Sequence, residues 1–261
     1  ERMEGLAAEA GLPVVLALSP LSPEYDTLAP DARDEGGQLI LNSAWRPYCY
    51  DPATDGVPTR YRDQFAGFAR WAAERFSPRM VIVAQRINLY EATCGPAAYA
   101  SIVDFAGEAA RRIAASEALG DKPITIASVD VEDLYGFPKK DGRCQTGTAA
   151  ECLAGRKALL AQLEATDVMV TGLESYPANA FADLGQLPGD WLSRVLAVAT
   201  KDTAIVGAEV PAQSMSTERG VCSPLFAATE AQQRAFLDQV LSAGAARDMA
   251  LVAWRHLTDL Q

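Results

Sequence analysis

Short apolar runs alternate along this chain with longer stretches in which apolar positions recur at helical spacing. The runs are Val14–Ser19, Met80–Ala84, Ile124–Val129, Val168–Leu173, Thr203–Gly207 and Ala250–Trp254. They are short, rich in β-branched residues and predominantly apolar, as strands buried on both faces of a parallel sheet are. After each but the last comes a loop carrying Pro, Gly, Tyr or Trp. The longer stretches are Tyr61–Phe76, Pro96–Ala115, Ala149–Ala165, Pro188–Thr200 and Thr229–Ala245. They are alanine-rich, with Arg, Glu and Gln falling between the apolar positions, which predicts helices with one covered face. Strand-then-helix repetition predicts an α/β fold with parallel strands. At Thr229, followed by Glu230 and Gln232, the sequence predicts a capped helix start, the hydroxyl accepting from first-turn amides and Gln232 reaching back.

Leu21 to Tyr61 breaks the rhythm. It holds an acidic, proline-punctuated stretch, the apolar run Gln38–Asn42, and the aromatics Trp45, Tyr48 and Tyr50. The expectation is a long loop, either a binding loop or a surface excursion. Six strands are two short of an eight-stranded barrel, and the opening residues ERMEGLAAEAG read as the end of a helix feeding Val14. The fold expected is therefore α/β, a (β/α)8 TIM-barrel-like single domain over residues 1–261, with the first two strands lying before Glu1. A smaller open sheet, or a hidden strand at Gln38–Asn42, is the alternative.

Composition narrows the partners. The 261 residues are 49% hydrophobic and 22% charged, enough to bury one sizeable core. A formal net charge of -11 repels phosphate backbones and anionic headgroups, so nucleic acid and membrane surfaces are poor partners. No apolar run approaches the roughly 20 residues that cross a bilayer. No signal peptide stands at the start, which is compatible with an export signal removed or left out, and secreted, periplasmic or envelope locations are expected with the cytoplasm still open. The five cysteines, Cys49, Cys94, Cys144, Cys152 and Cys222, contain no CxxC pair and have one histidine, His256, beside them, so a zinc site is not expected. Cys144 with Cys152, or Cys49 with Cys94, suits a disulfide; scattered reduced thiols are the other reading.

In folds of this kind the residues just after each strand gather the chemistry. Here they are Ser19; Gln85, Arg86, Asn88 and Tyr90; Asp130 and Glu132; Glu174, Ser175 and Tyr176; Glu209; and Trp254 with His256. Four segments carry a resemblance. VIVAQRINLY, VTGLESYP, AIVGAEVP and LVAWRHL resemble, in order, the fourth-, sixth-, seventh- and eighth-strand segments of the galactanase-like glycoside hydrolases of the clan A (β/α)8 superfamily. The resemblance runs from Val14 onward and makes that segment the third strand.

The resemblance implies a carbohydrate ligand and no metal or organic cofactor. It places Glu209 on the nucleophile position, Tyr176 and Asn88 on polar lining positions, and Trp254 on the sugar-stacking platform. The plainer readings are a salt-bridging or helix-capping Glu209, a core Trp254 and a packing Tyr176. The family's acid/base glutamate is replaced by Arg86, preceded by Gln85 where asparagine is expected. A guanidinium with a pKa above about 12 neither gives nor takes a proton at neutral pH. Glu174 is the preferred substitute acid, and His256 is read as a structural or rim residue.

The leading expectation is a glycoside hydrolase-like protein that acts on or binds poly- or oligosaccharide at the carboxyl ends of the strands, with catalytic Glu209, Arg86 and Glu174. Gln85, Asn88, Tyr90, Tyr176, Trp254 and Trp45 are expected to bind the sugar. The alternatives are a non-catalytic carbohydrate-binding or polysaccharide-assembly protein, favoured by Arg86, and a lyase of acidic sugars in which Arg86 neutralises a carboxylate.

Overall fold

The computed structural model describes residues 13–23, 25–29, 31–35, 38–42, 49–50, 60–135, 149–181, 184–187, 189–211, 213–216 and 225–254. The chain forms two compact units, Glu1–Ser128 with Gln162–Val170, and Val129–Ala161 with Thr171–Gln261.

In the first unit, β1 (Val15–Ala17) pairs in parallel with β4 (Met80–Ala84), which pairs in parallel with β5 (Ile124–Asp130). Every residue of β4 is buried, which explains its unbroken apolar sequence Met-Val-Ile-Val-Ala. The stretch expected to be a long loop contains an antiparallel pair, β2 (Asp31–Glu35) with β3 (Gln38–Asn42), so the strand weighed at Gln38–Asn42 exists but lies in its own two-stranded sheet.

Among the described residues, three helices accompany these strands: α1 (Arg60–Phe76), α2 (Asn88–Cys94) and α3 (Pro96–Ala114). Gly95, at φ 87, separates α2 from α3, and Pro96 then opens α3 at the position where its missing N–H costs nothing. α1 and α3 are tied by charge as well as packing. Arg112 reaches Asp63 Oδ1 at 2.8 Å and Glu108 Oε1 at 2.5 Å, while Arg62 meets Asp104 at 2.7 Å. Glu108 is almost wholly buried and holds both Arg111 and Arg112, so its charge is compensated where it sits.

A disulfide joins Cys49 to Cys94 at the end of α2, which realises one of the two pairings open from sequence. Cys144, Cys222, Trp45, Tyr48 and His256 lie outside the described residues.

In the second unit, β6 (Val170–Ser175), β7 (Thr203–Ala208) and β10 (Val252–Trp254) run parallel in that order. The helices are α4 (Val131–Leu134), α5 (Ala149–Glu164), α6 (Trp191–Val198) and α7 (Glu230–Ala246). Asp130 caps α4, its Oδ1 accepting from the Asp133 amide at 2.8 Å. Thr229 caps α7 as its sequence predicts, accepting from the Gln232 amide at 3.3 Å, and its hydroxyl donates to the Gln232 side chain at 3.0 Å. Trp191 stacks on Phe236 with ring centroids 5.4 Å apart and 4° between planes, and Phe236 meets Trp254 edge-on at 6.0 Å. An antiparallel pair, β8 (Gln213–Ser216) with β9 (Leu225–Thr229), has no counterpart in the strand pattern read from sequence.

Candidate functional site

Two groups of polar residues stand at strand ends, one in each unit. In the second unit, β6 ends on Glu174 and Ser175. Glu174 is 3% exposed, and the Tyr176 hydroxyl donates to its Oε2 at 2.9 Å. Both side chains lie over Gly207 of β7. A Cβ there would collide with the Tyr176 hydroxyl and stand 3.2 Å from Glu174 Oε2, so the missing side chain is what makes the arrangement fit. The register supplies the alignment: Leu173 faces Ile205, but Glu174 faces Gly207, because β7 carries one extra residue between them. Such irregularities re-aim side chains at strand ends. Glu209 follows two residues later, half-buried, its amide donating to the Ser175 carbonyl at 3.1 Å.

A further buried carboxyl, that of Glu132, meets the residues at the exit of β6. Glu132, 2% exposed, accepts from the Ser175 hydroxyl at 2.5 Å and from the Tyr176 amide at 3.2 Å. Burial, reinforced by the charge of neighbouring Asp130, pushes the Glu132 carboxyl up to about 8 against the pull of those two hydrogen bonds. At neutral pH it is a neutral acid gripping both residues that carry the chain out of β6. Asp133 alongside is paired with Arg156 at 2.6 Å. Among the described residues, no group of three or more His, Cys, Asp or Glu is placed to hold a metal ion.

In the first unit, Arg86 stands two residues beyond β4 with φ 48, left-handed for a residue with a side chain. Its amide donates to Ser128 Oγ at 2.9 Å and the next amide, Ile87, to the Ser128 carbonyl at 3.1 Å. The guanidinium lies over the Tyr25 ring, 5.4 Å from its centroid. Gln85 beside it is half-buried, whereas Asn88 and Tyr90 are fully buried at the start of α2 and show no surface to solvent.

The second unit thus brings together Glu174, Tyr176 and the strand end that leads to Glu209, with Trp254 half-buried against Phe236. The first holds Arg86 and Gln85. Sequence reasoning missed Tyr25, Ser128 and Gly207. Only Gly207 left a signal, an isolated glycine inside an apolar strand, which marks a close approach.

No protein-family model and no curated protein sequence matches the chain. Among solved structures it matches one described as that of two fungal β-1,4-galactanases, with TM-score 0.52 and 14% identity over 97% of this chain and 70% of that one. The shared property is the fold. The chain has the α/β architecture of the (β/α)8 barrels, with parallel strands joined through helices. A structure of a GH113 β-1,4-mannanase matches with TM-score 0.48 and 12% identity, over 97% of this chain and 66% of that one. A barrel hosts many chemistries, so activity has to be argued from the side chains.

Proposed function

We propose that this protein is a glycoside hydrolase-like protein that takes a β-linked poly- or oligosaccharide at the carboxyl ends of its strands, with Glu209 as nucleophile. The observation that carries the proposal is the Glu174–Tyr176 pair fitted over Gly207, on the strand that delivers Glu209 two residues later. Two carboxylates on adjacent strand ends are the apparatus of glycoside cleavage: one attacks or stabilises the anomeric centre, the other handles the leaving-group proton. Glu174 takes the second role, with Tyr176 fixing its rotamer. Trp254 offers an apolar indole face to a sugar ring. Arg86 stands where the resemblance expects the acid/base and cannot transfer a proton. The Cys49–Cys94 disulfide supports a secreted or envelope location, since such bonds persist in oxidising compartments.

The experiment is turnover on a panel of β-linked polysaccharides, β-1,4-galactan first, by wild type, Glu209→Gln and Arg86→Glu. Hydrolysis by wild type that drops about 10²-fold or more in Glu209→Gln is the expected result. A second reading, a carbohydrate-binding protein that does not cleave, is favoured by Arg86 itself. It predicts binding without turnover in wild type, with hydrolysis emerging in Arg86→Glu. If no glycan is bound or cleaved by any of the three proteins, both readings fall.

A further inference from the structure

We infer that the open edge of β1 and the aromatic flank of α1 form one seat, built to receive a parallel strand and its following helix from the same polypeptide, ahead of Glu1. Backbone, helix face and cavity converge on it. Among the described residues, β1 pairs with β4 alone. The Val14 carbonyl accepts from the Arg79 amide at 2.9 Å and the Leu18 amide donates to the Ile82 carbonyl at 2.8 Å, so the even-numbered residues face β4. Val15 and Ala17, which alternate with them, turn their amides and carbonyls to the other edge, where Val15 is 40% exposed. The strand there reads Val-Leu-Ala, without the charge or proline that guards a permanent edge.

The helix behind β1 is open on the same side. Arg62 with Asp104, Asp63 with Arg112 and Glu74 with Ser116 hold α1 on its α3 flank. At about 100° per residue, Phe68 falls roughly 120–140° round the helix from Asp63 and Glu74, on the flank turned away from α3. It is 50% exposed, and Trp71, 54% exposed, stacks on it with ring centroids 5.9 Å apart and 27° between planes. Trp71 in turn meets Phe76 edge-on at 6.4 Å. Phe76 lines a cavity of about 990 Å³ with Pro13, Val14, Pro78, Leu119 and Pro123, at the amino ends of β1, β4 and β5.

Handedness makes these one seat. Parallel strands are joined by right-handed crossovers, and α1 lies on the path from β1 to β4. A strand added on the free side of β1 and joined to it by the same crossover lays its helix on the same face of the sheet, beside Phe68 and Trp71, and returns the chain to Pro13 at the cavity. A second copy related by a two-fold axis would meet β1 antiparallel, with no crossover to place a helix there. A strand–helix unit is too small to fold by itself, so it comes on this chain rather than as a separate subunit. The galactanase fold is longer than the part this chain matches, which is 70% of it.

The intact mass of the protein from its native source tests the occupant: it should exceed 27.9 kDa by at least one unit of roughly 30 residues. That longer protein is then compared with the 261-residue chain. Amide exchange at Val15 and Ala17 should be at least about tenfold slower in the longer form. Trp71 fluorescence, isolated by difference against Trp71→Phe, should there resist acrylamide that quenches it in the 261-residue chain. Phe68→Gln/Trp71→Gln should move the melting temperature of the 261-residue chain by no more than about one or two degrees and lower that of the longer form by several, as burial of two aromatic side chains implies. A native mass of 27.9 kDa, or exchange and quenching that are equal in the two forms, would overturn the seat. Dimerisation of the 261-residue chain that is lost in the double variant would overturn it too, by giving the same surface to a second copy.

Discussion

The Ser175 hydroxyl donates to Oε1 of Glu132 at 2.5 Å across a sequence separation of 43 residues, and the Tyr176 amide takes Oε2 of the same carboxyl. Glu132 therefore grips the exit of β6 while holding a proton that an unfolded glutamate would have lost. The folded pKa is raised, to about 8 from 4.5. Between those values the folded chain keeps the proton and the unfolded chain does not, so stability falls as pH rises. The contribution of the neutral acid is complete below about pH 4.5, declines through the window and levels off above about 8, a change on the order of a few kcal/mol. Glu132→Gln keeps a neutral group of the same shape and cannot titrate. Melting temperature measured from pH 5 to 8.5 should fall more steeply for wild type than for this variant; parallel curves would show that Glu132 is ionised in the folded chain.

Gly207 and Tyr176 should behave as a coupled pair. Gly207→Ala pushes a methyl group into the Tyr176 hydroxyl and against Glu174, an overpacking expected to cost about 1–3 kcal/mol. Tyr176→Phe removes the hydroxyl that donates to Glu174 Oε2, a loss expected to cost about 1–3 kcal/mol. The double variant should lose less than the sum, because removing the hydroxyl makes room for the methyl group. Urea denaturation of the four proteins measures the coupling, and strict additivity would mean that the tyrosine and the strand move apart without resistance.

Among the described residues, the six strands of the parallel sheet and the five longer helices are legible because burial on two faces or on one leaves a periodic trace. Met80–Ala84 is buried at every position, and the strand's bounds coincide with those of the apolar run. α2 left no such trace: Asn-Leu-Tyr-Glu-Ala-Thr-Cys is short, follows a strand directly and has no side-chain cap. The β8–β9 pair was hidden for a similar reason, since two-stranded antiparallel pieces bury too little to impose a pattern. Site geometry was legible only in part. Polar residues at strand ends announced Glu174, Tyr176 and Glu209, but the Ser175–Glu132 bond and the Arg86–Tyr25 contact are long-range pairings that no local spacing encodes.

Opening the Cys49–Cys94 bond should loosen the first unit. The bridge closes a loop of 45 residues, for which chain entropy gives about 4 kcal/mol of stabilisation in the simplest treatment. The Cys49→Ser/Cys94→Ser variant should melt several degrees lower than the oxidised protein. The oxidised protein treated with reductant should match it. A melting temperature indifferent to reductant would mean that the two thiols are not joined in solution.

Trp254 separates packing from recognition. Its ring meets Phe236, which in turn stacks on Trp191, so the indole ends a row of three aromatics while staying half-buried. Truncation to alanine removes that packing and should cost roughly 3 kcal/mol, somewhat less than for a fully buried tryptophan. Phenylalanine keeps most of the edge contact but presents a smaller face, and should cost under about 1.5 kcal/mol. If the indole also floors a sugar ring, Trp254→Phe should weaken oligosaccharide binding several-fold with only a small change in melting temperature, since the lost area then belongs to the ligand rather than the core. Affinity and melting temperature that fall together in Trp254→Phe would reduce Trp254 to a packing residue and leave Glu209 and Glu174 without an aromatic platform on β10.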